Sequence, residues 1–472
     1  MKSRSVLFTL LAASPAFAQP APTPAPQPAP PDQPQPPPPD QPSWLPGVQD
    51  VTAAEVATPG KLTLSMERAV ELALKQNPTA RLARANADAA AGRVESARVI
   101  LHPTVSLNGS LDAGNTIAHP CASDPTRTCG GFFDPSETTG VSATANWRIT
   151  DFGQTRANIA AAQANAEAAN AGISTSSLDI RTNVELAYLE ALARGRLVLV
   201  AQATVKSEEG HLDQAKRFVA AQAHDPIEVQ QASSRAANAR SSLAQAQSNE
   251  AVALANLRAA IGWLDPSRSP AVDPRWPVPS DAEPPDLPAL VGTARKYRPE
   301  IVAADKQIAA SDASLEAAHY ERRPILSANA SALYLPHTGD WSPQPSWAAG
   351  LTLSWFLYDG GRSRADVHVA TANRESAIAS RDALLVSLTS ALEASRAQIV
   401  ANRANVQAST EAVTAAQAEL KLAEARYAQG LGSQIELADA QTAVTTAQGN
   451  LVQAEWQLAD AWAQLRRETA QP

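Results

Sequence analysis

Two carboxylates, Glu436 and Asp439, are the residues best placed to do chemistry in this chain. They follow a Gly430-Leu431-Gly432-Ser433 turn, and a spacing of three puts both on one face of a helix. At a helical hairpin tip in a symmetric oligomer, such pairs form rings that attract cations and hold a constriction. The ordinary alternative is two solvated carboxylates at a helix start, where the dipole favours negative charge. Glu228 and Gln231 occupy the matching places in an earlier stretch. Other chemistry is absent from the pattern. The seven histidines are scattered without metal-ligand spacing, and Asp359-Gly360-Gly361 lacks the frame of a phosphate loop. No compact set of acid, base and nucleophile emerges, so the sequence predicts neither catalysis nor a cofactor.

The elements that position these carboxylates occur twice. A shift of 208 carries Trp147, Asp151, Gly153, Arg156, Ile227 and Glu228 onto Trp355, Asp359, Gly361, Arg364, Ile435 and Glu436. One register held over more than a hundred residues means two copies of one structural unit. Upstream the shift is 221: Pro78, Glu95, Pro103 and Asn108 fall on Pro299, Glu316, Pro324 and Asn329. The first copy therefore holds 13 extra residues around Ala113 to Glu137, expected to form a long surface loop. That loop contains Cys121 and Cys129, which in an exported protein either close a disulfide or remain two free thiols.

Each copy reads as two strands followed by a very long helical hairpin. Val105, Leu107, Leu111 and Ala113 alternate with polar residues, as do Val141, Ala143, Ala145, Trp147 and Ile149. In the second copy Ser327, Asn329 and Ser331 share one face, and Ala349, Leu351, Leu353, Trp355 and Leu357 share another. Strands of this length with one apolar face fit a transmembrane β-barrel, with Trp147 and Trp355 at the membrane interface. Beyond the Asp359-Gly360-Gly361 turn the period becomes seven: Ile378, Leu385, Leu392, Ile399, Val406, Val413, Leu420 and Tyr427. Val184, Ala191, Val198, Val205, Leu212 and Val219 take those places in the first copy, a signature of packed, supercoiled helices. Charged residues on these helices are expected to pair three or four places apart on solvated faces.

The boundaries follow. Residues 1–18 read as a secretory signal, with Lys2 and Arg4 before an apolar run and Ala16-Phe17-Ala18 at the cut. Within residues 19–60, the stretch from Pro20 to Pro46 holds 14 of the chain's 36 prolines and reads as an extended tether or a binding segment. The first repeat spans 61–262, with a short helix from Thr63 to Gln76. A connecting segment covers 263–286, the second repeat 287–467 and a tail 468–472. Outside the signal no apolar run reaches about 18 residues, so any membrane crossing falls to strands. A net charge of -8 without a basic stripe argues against nucleic acid as a partner.

The duplicated unit, the Asn77-Pro78 and Arg323-Pro324 helix stops, and the Asp151-Phe152-Gly153 and Asp359-Gly360-Gly361 turns resemble the TolC-like family of outer-membrane efflux and secretion channels. The turn from Tyr427 to Gly430 leading into Ile435 to Ala440 adds to the likeness, which covers residues 60 to 467. The resemblance implies a mainly α chain with transmembrane β-strands. Three copies would form a 12-stranded barrel in the outer membrane, continued by a periplasmic α-helical barrel. It implies an acidic aperture at Glu436, Asp439 and Glu228. It also implies docking of a periplasmic adaptor at two hairpin tips, Gly430, Leu431, Gly432, Ser433 and Ala223 to Pro226, including Asp225 and Pro226. An inner-membrane transporter would lie beyond the adaptor. The expected function is a passive, gated exit duct for small toxic molecules. The alternatives are a duct for type I protein secretion, or a periplasmic coiled-coil structural or adaptor protein.

Overall fold

A four-residue strand, β1 (Lys61–Leu64), opens the folded part of the chain, where the sequence pattern predicts the start of a helix. Ser65 ends it by accepting the Arg68 N–H at 3.3 Å, so α1 (Met66–Gln76) begins three residues late. Asn77 then caps in both directions: it terminates α1, and its Oδ1 accepts the Thr79 N–H at 2.8 Å at the head of α2 (Pro78–Val99). Pro78 sits where a helix has no use for an N–H. The chain continues through β2 (Thr104–Asn115), the short hairpin β3 (His119–Cys121) and β4 (Asp124–Cys129), and β5 (Pro135–Thr150). The 13 extra residues are therefore not all loop, because β2 and β5 keep pairing out to Asn115↔Pro135 and β3 pairs with β4.

Two helices of 67 residues dominate: α3 (Gln154–Ala220), and its repeat counterpart further along. At about 1.5 Å per residue each is roughly 100 Å long. After α3 the chain returns in α4 (Ile227–Ile261), which stops at Gly262 in the left-handed conformation, φ 86°. Gly262 is obligatory there, since a Cβ would stand 2.8 Å from the Asn77 Cα. The connecting segment then forms β6 (Ser269–Val272), which pairs in parallel with β1. The second repeat follows as α5 (Leu287–Tyr297), α6 (Pro299–Tyr320), β7 (Ile325–Leu335), β8 (Gln344–Ser354), α7 (Arg362–Ala428) and α8 (Gln434–Thr469).

The structure is a computed structural model. It describes residues 61–115, 119–121, 124–129, 135–222, 225–265, 269–273, 283–335 and 344–470. The signal, the Pro-rich stretch and the tip residues Ala223 and His224 lie outside these. So do the side chains of Cys121 and Cys129, on which the disulfide expectation rests.

The heptad residues form the helical cores. Val184, Ala191 and Leu257 are buried with α1 in the first repeat, and Leu392, Ile399 and Leu465 with α5 in the second. The Asn402 amide, at a polar heptad-partner position, is buried and donates to the Gln457 carbonyl at 2.9 Å. Ion pairs differ from the expectation of local i,i+4 pairing, because many cross between helices. Arg374 and Arg381 of α7 reach Asp312 and Asp305 of α6. Arg298, itself 6% exposed, is held by Glu300 and by Glu468 of α8, while Arg467 reaches Asp179 of α3.

Candidate functional site

Two regions carry the site: the sheet at one end of the long helices and the hairpin tips at the other. The sheet order is β2-β5-β7-β8, every pairing antiparallel. The registers Leu107↔Ala143, Ala143↔Ala332 and Ala332↔Trp347 carry one face across all four strands. That face is apolar and uncovered: Val105, Leu107 and Leu111 are each 76% exposed, Trp347 81% and Leu351 71%. The other face is polar and bonded to itself, with Ser106 Oγ 2.7 Å from Thr144 Oγ1 and Thr352 Oγ1 donating to Asn329 Oδ1 at 3.1 Å. No helix among the described residues is long and apolar enough to cross a membrane. A sheet with one dry face and one wet face suits a barrel wall between lipid and water.

The two tryptophans tie this sheet to the helices. Trp147 Nε1 donates to the Leu101 carbonyl at 2.9 Å, and Trp355 Nε1 to the Arg322 carbonyl at 3.1 Å. The acceptors lie two residues past the ends of α2 and α6 and are related by the upstream repeat shift. Trp355 lies beyond β8, however, since that strand ends at Ser354.

Below each tryptophan an aspartate turns strand into helix. Asp359 Oδ1 accepts the Gly361 N–H at 2.9 Å, and Oδ2 accepts the Ser363 N–H at 2.9 Å and the Ser363 hydroxyl. These bonds, the hydroxyl first, hold its carboxyl well below the usual carboxylate range. Asp151 does the same for Gly153 and Thr155. The turn needs two successive residues at positive φ: Gly360 and Gly361 in the second copy, Phe152 and Gly153 in the first.

At the far end the two hairpin tips match at the described residues that enter and leave the turn. Gly430 (φ 72°) closes α7, and Leu431 N–H and Gly432 N–H both return to the Arg426 carbonyl, at 2.9 and 3.1 Å. Ser433 Oγ then caps α8 by accepting the Glu436 N–H at 3.1 Å. In the first tip Gln222 (φ 59°) stands where Gly430 does, and Asp225 Oδ1 accepts the Ile227 N–H at 3.2 Å where Ser433 caps. Pro226 precedes α4 as its N-cap residue.

A fully buried phenol joins the tips. Tyr427 packs its ring against Phe218 of α3, centroids 5.7 Å apart, and its hydroxyl donates to Glu228 Oε2 of α4 at 3.0 Å. Burial first, then the Glu228 carboxylate, pushes the phenol well above its ordinary pKa. The Gln434 amide lies 2.8 Å from the same hydroxyl, and its Nε2 is buried without a partner. Turning the amide lets Nε2 donate to the hydroxyl, because Tyr427 gives its one proton to Glu228 and can then accept. Higher up, Ser207 Oγ donates to Gln441 Oε1 at 2.7 Å and Thr204 meets Thr445 at 3.0 Å, fastening α3 to α8.

The three aperture carboxylates have different fates. Glu436 pairs with Arg426 of its own hairpin at 3.0 Å, and Glu228 is taken by Tyr427. Asp439 is exposed and makes no ion pair among the described residues. Tyr427, Arg426, Phe218 and Gln434 were not singled out as site residues by the sequence. In the sequence Tyr427 stands out as a heptad position and as the first residue of the tip turn. Among the described residues no group of three or more His, Cys, Asp or Glu is placed to hold a metal.

A family profile described as outer membrane efflux protein matches residues 69–263 and 290–471, one block per repeat. Protein CyaE of Bordetella pertussis is 27% identical over 317 residues, covering 66% of this chain and 63% of that protein. The chain thus spans less than two thirds of that relative's length. Among solved structures, a membrane protein from Pseudomonas aeruginosa aligns with a TM-score of 0.72 at 21% identity, covering 86% of this chain and 90% of that one. The Campylobacter jejuni CmeC outer membrane channel aligns with the same TM-score at 15% identity, covering 86% and 85%. At these identities the structures establish a shared fold.

Proposed function

The chain belongs to the outer membrane efflux protein family, and from that premise we propose that it is the outer-membrane duct of a tripartite efflux pump. Three copies supply twelve strands from their four-stranded sheets, and the paired long helices continue the wall across the periplasm. Small toxic molecules pass through without chemistry. A periplasmic adaptor docks at the tips, on Gly430, Leu431, Gly432 and Ser433 and on Asp225 and Pro226, and links the duct to an inner-membrane transporter. The observation that carries this reading is the sheet: one face with Val105, Leu107, Leu111, Trp347 and Leu351 exposed, a polar face, and capped turns into helices roughly 100 Å long.

The gate lies at the tips. Asp439 is the carboxylate left to face a passage, with Glu436 beside it, and rings of them hold cations at the constriction. The Tyr427–Glu228 bond holds the second hairpin against the first, so opening requires that bond to part. Reconstitution of the purified protein in planar bilayers tests the proposal. The expected result is discrete conductance that rises, with weaker block by divalent cations, in Asp439→Ala combined with Glu436→Ala. A protein that fractionates away from the outer membrane and conducts nothing would sink it. Unchanged conductance and block in the double variant would move the constriction elsewhere.

A further inference from the structure

We propose that a belt of arginines just below the sheet, Arg98, Arg156, Arg322 and Arg364, binds the phosphates of anionic phospholipids in the periplasmic leaflet of the outer membrane. The inference rests on the reading above, in which the exposed apolar sheet face meets lipid, and adds a headgroup contact to it.

The four lie where sheet gives way to helix. Trp147 pairs with Ala328, and Ala328 with Leu351, so the Trp147 ring belongs to the apolar face. Its indole N–H reaches the Leu101 carbonyl, and that of Trp355 reaches the Arg322 carbonyl. Tryptophans placed in this way mark the level where hydrocarbon meets headgroups. Arg322 stands at that level, and Arg98 lies about one helical turn from Leu101. Arg156 and Arg364 fall in the first turns of α3 and α7, directly after the capped turns.

No partner within the chain takes these charges. All four side chains are exposed, and none has an ion pair or a side-chain hydrogen bond among the described residues. Other arginines at this level are held: Arg148 by Asp151, Arg362 by Asp366, and Arg323 by the Phe152 carbonyl, over the Tyr320 ring. Asp151 and Asp359 are engaged in the turns, and Glu316 accepts the Tyr320 hydroxyl. Within 95–102, 148–156, 316–323 and 359–366 that leaves Glu95 and Glu321 against the four arginines.

The fold alone gives no reason for Arg156 and Arg364. They are repeat counterparts, and a cation in the first turn of a helix opposes the helix dipole. Neither helix carries a carboxylate in that turn to balance it. The surface around the belt is apolar, with Val99, Ile100 and Phe152 about half exposed. Arginines set among such groups, at the edge of an apolar face, suit a bilayer interface. There the stem lies against hydrocarbon and the planar guanidinium takes a phosphate.

Full-length protein in nanodiscs of mixed phosphatidylcholine and phosphatidylglycerol tests the belt, with mass spectrometry of the lipids retained on the protein. Wild type should hold phosphatidylglycerol about fivefold above its share of the bilayer. The enrichment should fall as salt is raised. Arg98→Gln, Arg156→Gln, Arg322→Gln and Arg364→Gln together should bring it to parity. Lysine at the same four positions should keep most of it, and Lys421→Gln, near the opposite end of α7, should leave it unchanged. Enrichment kept by the glutamine variant overturns the belt, and a change in ion selectivity alongside would place the arginines on the duct's inner wall. Wild type that conducts without enrichment overturns the belt while the duct stands. Wild type that neither conducts nor retains lipid overturns both.

Discussion

Laid over one another by the repeat shifts, the two helical cores use the same positions and fill them with different side chains. Where the first has Ala69, Ala80, Val184 and Ala191, the second has Leu290, Ile301, Leu392 and Ile399, all buried. The missing volume in the first core is supplied by two short strands and by Tyr188 of α3, which has no apolar counterpart in the second copy. Leu64 of β1, Tyr188 and, packed against them, Trp263 and Val272 of β6 fill the space. Tyr188 donates to the Leu64 carbonyl at 3.0 Å and accepts the Asp273 N–H at 3.2 Å, so it anchors both short strands. Its counterpart Arg396 also holds the connecting segment, but from a half-exposed position, through the Pro285 carbonyl at 3.2 Å and Asp286 at 3.6 Å. Duplication preserved the backbone register. The packing then diverged, because interiors must be filled to near crystal density by whatever lies close.

The comparison is sharpened most by truncating its larger core. Leu392→Ala removes a fully buried side chain with no neighbouring segment free to move in, and should cost about 2–5 kcal/mol. Val184→Ala, at the matching place, removes less and should cost about 1–3 kcal/mol. Urea midpoints of the detergent-solubilised protein, followed by circular dichroism, measure both. A Val184→Ala loss equal to or above that of Leu392→Ala would mean that the strands β1 and β6 do not pad the first core.

Next comes the pair of anchors. Tyr188→Phe keeps the ring and leaves the Leu64 carbonyl and the Asp273 N–H without their partner, a cost of about 1–3 kcal/mol. Arg396→Met should change stability by under about 1 kcal/mol, since exposed ion pairs contribute little. Equal losses at the two sites would mean that the connecting segment is held alike by both repeats.

These contrasts show what the sequence could reveal. A period of seven over eight positions is a long signal, and it marks α7 well enough that Leu392, Ile399 and Tyr427 are all fully buried. The period of two marks the apolar sheet face for the same reason. β1 and β6 are four residues each, too short for a period, and Lys61 pairs with Ser269 far along the chain, with Pro270 inside the strand. The Tyr427 hydroxyl meets a carboxylate 199 residues away, a distance that no local pattern encodes. Ion pairs such as Arg374 with Asp312 and Arg381 with Asp305 join neighbouring helices, and a sequence shows spacing along one helix but not which helix lies beside it.

The smallest effect is the one that separates Tyr188 from everything else that titrates. Burial pushes its phenol up to about 12, against about 10 for a free tyrosine. A group whose pKa is raised by folding stabilises the fold fully below its unfolded value, and that stabilisation is lost as pH rises toward the folded value. The window is therefore about pH 10 to 12. The Tyr427 phenol is raised too and will also weaken the fold in alkali, but it is present in both wild type and Tyr188→Phe and cancels between them. The difference in urea midpoint between these two proteins should hold steady from pH 7 to 9 and narrow by pH 11.5. A gap close to zero at every pH would show that Tyr188 acts through its ring alone. The first core would then be padded by β1 and β6 but not anchored by a hydrogen bond to them.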